Sequence, residues 1–117
     1  MLQHISQRLL IYIKEALGFI DSNYSRDVSV EEIADACGLN RSYFGKLFKE
    51  TLGQSPQQYL IRYRMTKAAE LLKATRISIA EVGRSVGYEN QLHFSRAFKN
   101  VFGISPSQHR AKHSIHN

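Results

Sequence analysis

Four cations recur as two pairs at one spacing. Lys46 and Lys49 follow the segment CGLNRSYFG, and Arg96 and Lys99 follow VGYENQLHFS, each pair three residues apart. Side chains three apart on a helix are neighbours on one face, so each pair would set two positive charges side by side. Groups of this kind grip phosphate oxygens, and arginine can also bridge O6 and N7 of a guanine. A lone lysine on a helix is ordinarily a solvated side chain and nothing more. Recurrence of the pair after the same turn argues instead for contact with a polyanion.

The pairs recur because the chain repeats itself. Residues 28–59, VSVEEIADACGLNRSYFGKLFKETLGQSPQQY, align with residues 77–109, ISIAEVGRSVGYENQLHFSRAFKNVFGISPSQH, with one extra residue, Glu89, in the second copy. The identities include Ser29/Ser78, Glu32/Glu81, Gly38/Gly87, Asn40/Asn90, Phe44/Phe94, Phe48/Phe98, Lys49/Lys99, Gly53/Gly103, Ser55/Ser105, Pro56/Pro106 and Gln58/Gln108. These are caps, turns and core positions, while outer residues differ. A repeat that keeps its punctuation and varies its surface suggests one scaffold with two reading faces, which suits recognition better than catalysis.

Catalytic chemistry finds little support. Cys37 is the only cysteine, so neither a disulfide framework nor a cysteine metal cluster can form, and its place on an apolar helix face reads as core. The histidines, at 4, 93, 109, 113 and 116, lack the spacing of a metal site; His113 and His116 support adventitious binding only. No Ser/His/Asp order, phosphate-cradling glycine loop or HExxH sequence is present. Nothing in the sequence calls for a cofactor or a resident metal.

The net charge of +6 is unevenly spread over the 117 residues. Residues 1–35 hold three basic and six acidic side chains, and residues 36–117 hold thirteen basic and four acidic. The later part would attract a polyanion. No apolar run approaches the roughly 18 residues of a membrane span, and no signal-like segment opens the chain, so no membrane partner is expected and the cytoplasm is the expected location. A lobe of about 45 residues would be marginal alone, so two lobes should share an element.

Helix signals supply that arrangement. Ile5, Leu9, Ile13, Leu17 and Ile20 predict an amphipathic helix over 2–23. Ser29-Val-Glu-Glu32 and Ser78-Ile-Ala-Glu81 are capping boxes opening short helices, which close at Gly38 and Gly87. Asn40 and Asn90 then cap the next helices. Ser55-Pro-Gln-Gln58 and Ser105-Pro-Ser-Gln108 open two more, with proline at the first helical position. The first of these, over 56–73, would be the shared element, roughly 27 Å long at 1.5 Å per residue. The last ends near Lys112. No alternating apolar pattern supports a strand. An all-α fold of about seven helices follows, divided as 1–54 (first helix and first lobe), 55–73 (linker helix), 74–112 (second lobe) and a flexible tail over 113–117.

At 100° per residue, with Phe44 inward, Leu47, Phe48, Thr51 and Leu52 also turn inward, and Ser42, Gly45, Lys46 and Lys49 outward. In the second copy Phe94, Ala97, Phe98 and Phe102 turn inward, and Leu92, Ser95, Arg96 and Lys99 outward. Tyr43, Tyr63 and Tyr88 stay undecided. A short helix, a glycine turn and a second helix with a basic outer face make a helix-turn-helix, whose second helix can enter a major groove. Were the linker to set two such helices roughly 27 to 34 Å apart, they could address successive grooves of one duplex.

The segment GYENQLHFSRAFKNVFGISPSQHR, residues 87–110, closely resembles the signature of the AraC/XylS family of bacterial transcription regulators, whose diagnostic pieces are G-[FY], F-S-R-x-F-K and G-x-[ST]-P. The resemblance covers about residues 5–112. It implies two helix-turn-helix lobes joined by a long helix, binding an asymmetric site on double-stranded DNA, most often to activate transcription, with RNA polymerase as a further partner. By position it implies base contacts from Arg41, Ser42, Gly45, Lys46, Gln91, Leu92, His93, Ser95 and Arg96. Phosphate contacts would come from Lys49, Lys99, Ser107 and Arg110, with Arg62 or Arg64. Most members of the family carry a sensory or receiver domain before this part, so the resemblance implies either a naturally short regulator or, the favoured reading, the DNA-binding end of a larger one.

Three residues depart from the family pattern. Leu92 stands where many members are polar, and either reads a thymine methyl or faces solvent. His109 replaces the usual aromatic before Arg110. Gly45 has no side chain to reach a base. The competing class is a fragment of an alkyl-transfer repair enzyme, which carries an AraC-like segment beside cysteine chemistry; it suffers from Cys37 being the only thiol. A protein-interaction or polymerase-docking module is a reading compatible with DNA binding.

Overall fold

A computed structural model of the chain describes residues 7–115. Along them run α1 (Gln7–Asn23), α2 (Val30–Ala36), α3 (Arg41–Leu52), α4 (Pro56–Ala74), α5 (Ile79–Ser85), α6 (Gln91–Phe102) and α7 (Pro106–His113). Among the described residues there is no strand, so the all-α expectation holds. Leu2 and Ile5, expected in the first helix, lie outside the described residues, as do His4 and His116.

The chain groups into two compact units: one comprising residues up to Tyr24 and Val28–Leu60, the other Ser25–Asp27 and everything from Ile61 onward. The linker helix is not a body of its own: the first turn of α4, through Leu60, belongs to the first unit and the remainder to the second.

In the first unit Ile13, Ala16 and Ile20 of α1, Ile33 and Ala34 of α2, Phe44, Leu47 and Phe48 of α3, and Leu60 of α4 are all buried. α2, α3 and α4 each start where the sequence can satisfy the free amides of a helix end. Ser29 Oγ accepts from Glu32 N and Glu32 Oε1 accepts from Ser29 N. Asn40 Oδ1 accepts from the Tyr43 amide at 2.8 Å, and Ser55 and Gln58 exchange the same reciprocal pair of bonds at the head of α4. Gly53 closes α3 at φ +77°, the left-handed region that a Cβ would strain.

The second unit repeats the plan around Met65, Ala68 and Leu72 of α4, Val82 of α5, Val86, and Phe94 and Phe98 of α6, all buried. Ser78 Oγ accepts from Glu81 N, the serine half of the capping box. Ser105 and Gln108 make the full box at α7. The ring of Phe98 meets His109 edge-on at 5.2 Å, as Phe48 meets Tyr59 at 5.5 Å in the first unit. The unusual histidine therefore takes over the packing role of its aromatic counterpart.

Two details differ from expectation. Phe102, expected inward, is 37% exposed and lies on the rings of Phe98 and His109. The helix-turn geometry carries the last residue of α6 past the edge of its core. The tail does not begin at 113: His113 is the last residue of α7, Ser114 N donates to Arg110 O at 2.8 Å, and Ile115 N donates to Lys73 O at 3.2 Å. Arg110 Nε donates to Leu72 O at 3.1 Å. Two of the carbonyls that the end of α4 leaves open are thus met by α7 and the residues after it.

Candidate nucleic-acid interface

The first candidate helix, α3, is held with Phe44, Leu47 and Phe48 against its own core. That fixes which residues face out. Arg41, Ser42, Lys46 and Lys49 are exposed and Gly45 is half-buried. Asn40 fixes the start of the helix and Gly53 its end, so the face has a defined rotation and length. Gly45 sits in mid-helix with no heavy atom within 4 Å of where a Cβ would stand. It weakens α3 by roughly 0.5 to 1 kcal/mol relative to alanine.

The second, α6, is set the same way by Phe94 and Phe98, with Asn90 Oδ1 accepting from the His93 amide at 3.0 Å. Gln91, Leu92, His93, Arg96 and Lys99 are exposed, and Ser95 is half-buried. Leu92 is 57% exposed, a large apolar side chain with no place in the core. Its solvent-facing position is what an apolar contact to a thymine methyl would need. None of Arg41, Lys46, Lys49, Arg96 and Lys99 makes an ion pair among the described residues. Each outer face carries at least two cations uncompensated by the fold.

Two expected phosphate contacts are corrected. Arg64 is only 8% exposed: its Nη2 donates to Arg26 O at 2.7 Å and its guanidinium lies 5.9 Å from the centre of the Tyr88 ring. Burial lowers its pKa, against the opposing pull of Tyr88 and Asp27, and burial raises that of Tyr88. It is a buried structural cation. Arg110 is likewise turned into the fold by its bond to Leu72 O, and its Nη2 is buried with no hydrogen-bond partner among the described residues. Arg62 and Ser107 are exposed, in α4 and near the start of α7.

Sequence reasoning missed Gly83. A Cβ there would stand 3.0 Å from Phe94 Cγ, so α5 and α6 touch through it. The available signal was the repeat itself, which places the small buried Ala34 at the matching position of the first unit. Tyr88, left undecided, packs on Phe94 at 5.9 Å beneath Arg64. Cys37 is buried, its thiol directed at Tyr12 O and its pKa raised by burial and then by Glu15, so it is shielded and un-ionised. No group of three or more metal-ligating side chains occurs among the described residues, and none of their helices is long and apolar enough to cross a membrane.

Comparison with known proteins gives the same reading. The family profile described as "Helix-turn-helix domain" matches residues 26–112. The chain belongs to the AraC/XylS family of transcription regulators. Among relatives in this family, the lactose operon transcription activator of Staphylococcus xylosus is 42% identical over 105 residues, which are 90% of this chain and 38% of that protein. The chain thus spans less than half the length of that relative. Among solved structures, the C-terminal domain of AraT, a response regulator from Geobacillus stearothermophilus, aligns with a TM-score of 0.88 at 36% identity, covering 93% of this chain and 91% of the other. The DNA-binding domain of AdpA, a global transcriptional factor solved in complex with a target DNA, aligns with a TM-score of 0.77 at 27% identity, covering 92% and 93%. The AraC-type arrangement of two helix-turn-helix lobes is therefore the fold of this chain.

Proposed function

We propose that the chain binds double-stranded DNA in a sequence-specific way, α3 and α6 each entering a major groove, as the DNA-binding part of a transcription activator. The observation that carries this is the matched pair of unneutralised outer faces: Lys46 and Lys49 on α3, Arg96 and Lys99 on α6. Arg41, Ser42, Gly45 and Lys46, with Gln91, Leu92, His93, Ser95 and Arg96, face base edges. Lys49, Lys99, Arg62 and Ser107 hold phosphates. Arg64 and Arg110 leave that set because the fold holds them.

One major-groove contact from each unit, α3 from the first and α6 from the second, suits this reading. Likeness to a DNA-complexed AdpA domain and to a lactose operon activator supports DNA as the partner and activation as the outcome. The length of that relative supports a signal-receiving domain elsewhere in the regulator, and RNA polymerase would be the partner through which activation acts.

Selection of bound duplexes from a random pool tests the proposal. It should return an asymmetric site with two short conserved blocks about one helical turn apart. With the three cations Lys49, Lys99 and Arg62 on phosphates, affinity should fall at least about 40-fold between 50 and 200 mM salt. A flat salt titration with no enriched sequence would defeat it.

A further inference from the structure

Of the seven glycines in the chain, Gly38, Gly53, Gly87 and Gly103 stand at positive φ, and Gly83 has Phe94 where its side chain would go. Gly18 and Gly45 have neither reason: both lie in ordinary right-handed helix with open space at the missing Cβ. The fold asks for a glycine at neither position, and alanine would strengthen either helix. Their addresses differ. Gly18 is exposed on α1, whereas Gly45 lies on the outer face of α3, sharing it with Ser42 three residues before and Lys49 four residues after.

We propose that Gly45 is a close-approach position, where the bare backbone of α3 lies directly against a base edge. This rests on the DNA-binding reading and adds to it how deeply α3 is seated. A helix with its side chains is about 10 to 12 Å across and the major groove about 12 Å wide, so there is little slack. Removing one side chain from the leading face decides how far the helix sinks. Glycine serves where backbone must approach a ligand closely. The gap left by the missing side chain exposes only a Cα between Ser42, Lys46 and Lys49, and the base feature that fits against a bare Cα is the thymine methyl. The matching position of α6 is Ser95, so α6 keeps a side chain there and reads by reach where α3 reads by proximity.

The test uses the 117-residue chain and the duplex recovered by selection, measuring Tm and Kd for Gly45→Ala, Gly45→Gln and Gly18→Ala. Both alanine variants should raise Tm by roughly 2 to 6 °C. Gly18→Ala should leave Kd within about twofold, whereas Gly45→Ala should weaken binding roughly 5- to 30-fold, by the strain of an added methyl in a filled space. Gly45→Gln should weaken it further. Stability and affinity moving in opposite directions cannot come from damage to the fold. An unchanged or tighter Kd for Gly45→Ala, a gain for Gly45→Gln, or a lowered Tm for Gly45→Ala would overturn the inference. If Lys46→Ala and Arg96→Ala weaken binding in that case, the DNA-binding reading survives; if they too leave Kd unchanged, that reading falls as well.

Discussion

Arg64 and Tyr88, twenty-four residues apart in the chain, make a cation–π contact, with the guanidinium carbon over the ring 5.9 Å from its centre. The same guanidinium holds the Arg26 carbonyl at 2.7 Å, and the ring packs on Phe94 of α6. One buried cation therefore ties the segment Ser25–Asp27 to the turn that precedes α6.

Arg64→Met should cost the second unit about 1 to 3 kcal/mol, since it forfeits a charged hydrogen bond and a desolvated cation–π contact while keeping most of the buried volume. Urea denaturation would show a lower midpoint at unchanged slope. An unaltered midpoint would mean that the contact contributes nothing.

His109 gives the fold a pH dependence. Burial, then His113 and Lys112, lower its folded pKa below the ordinary histidine value. As pH falls through about 6.5, the unfolded chain binds a proton that the folded chain resists, so stability drops and levels off below the folded pKa. His109→Tyr, which copies Tyr59 of the first unit, should remove this histidine's share of the dependence and keep the edge-on contact with Phe98. Thermal melts of both proteins between pH 7.5 and about 5 check it; parallel curves would refute the assignment.

Arg96→Ala and Lys99→Ala should behave differently although both remove one charge from α6. The first should flatten preference at one or two base pairs, by roughly 1 to 3 kcal/mol for the favoured base. The second should weaken all duplexes alike and reduce the salt slope by about 1. Binding to single-position variants of the selected duplex at two salt concentrations distinguishes them, and identical profiles would contradict the division into base and phosphate contacts.

Gly83→Val should destabilise the second unit by about 1 to 3 kcal/mol, since even a Cβ there would stand 3.0 to 3.2 Å from Phe94. Denaturant titration should show the loss, whereas a Val variant as stable as the parent would mean that α5 can shift away from α6.

The sequence carried the helix boundaries well because their signals are local. Serine, asparagine and proline at helix starts and glycine at helix ends act within four residues, and Ser29, Asn40, Asn90 and Ser105 all cap as read. Outward faces were legible too, since two phenylalanines four apart fix the rotation of α3 and of α6. What was not legible depends on contacts distant in sequence. Arg64 looked like any helical arginine, and only the carbonyl of Arg26, 38 residues away, makes it a core residue. Arg110 was misread for the same reason, its partner Leu72 also lying 38 residues off. Lengthwise, the position of a tail could not be foreseen while the bond from Ile115 to Lys73 was unknown.

Each reading helix rests on its own phenylalanine pair, Phe44 with Phe48 and Phe94 with Phe98. Substitutions on the exposed side of one helix then leave the support of the other untouched, and their effects on binding should multiply independently. Under the proposed DNA-binding role, specificity would be separable by halves: a change in one block of the target site could be followed by changes in a single helix, while the other block goes on anchoring the protein.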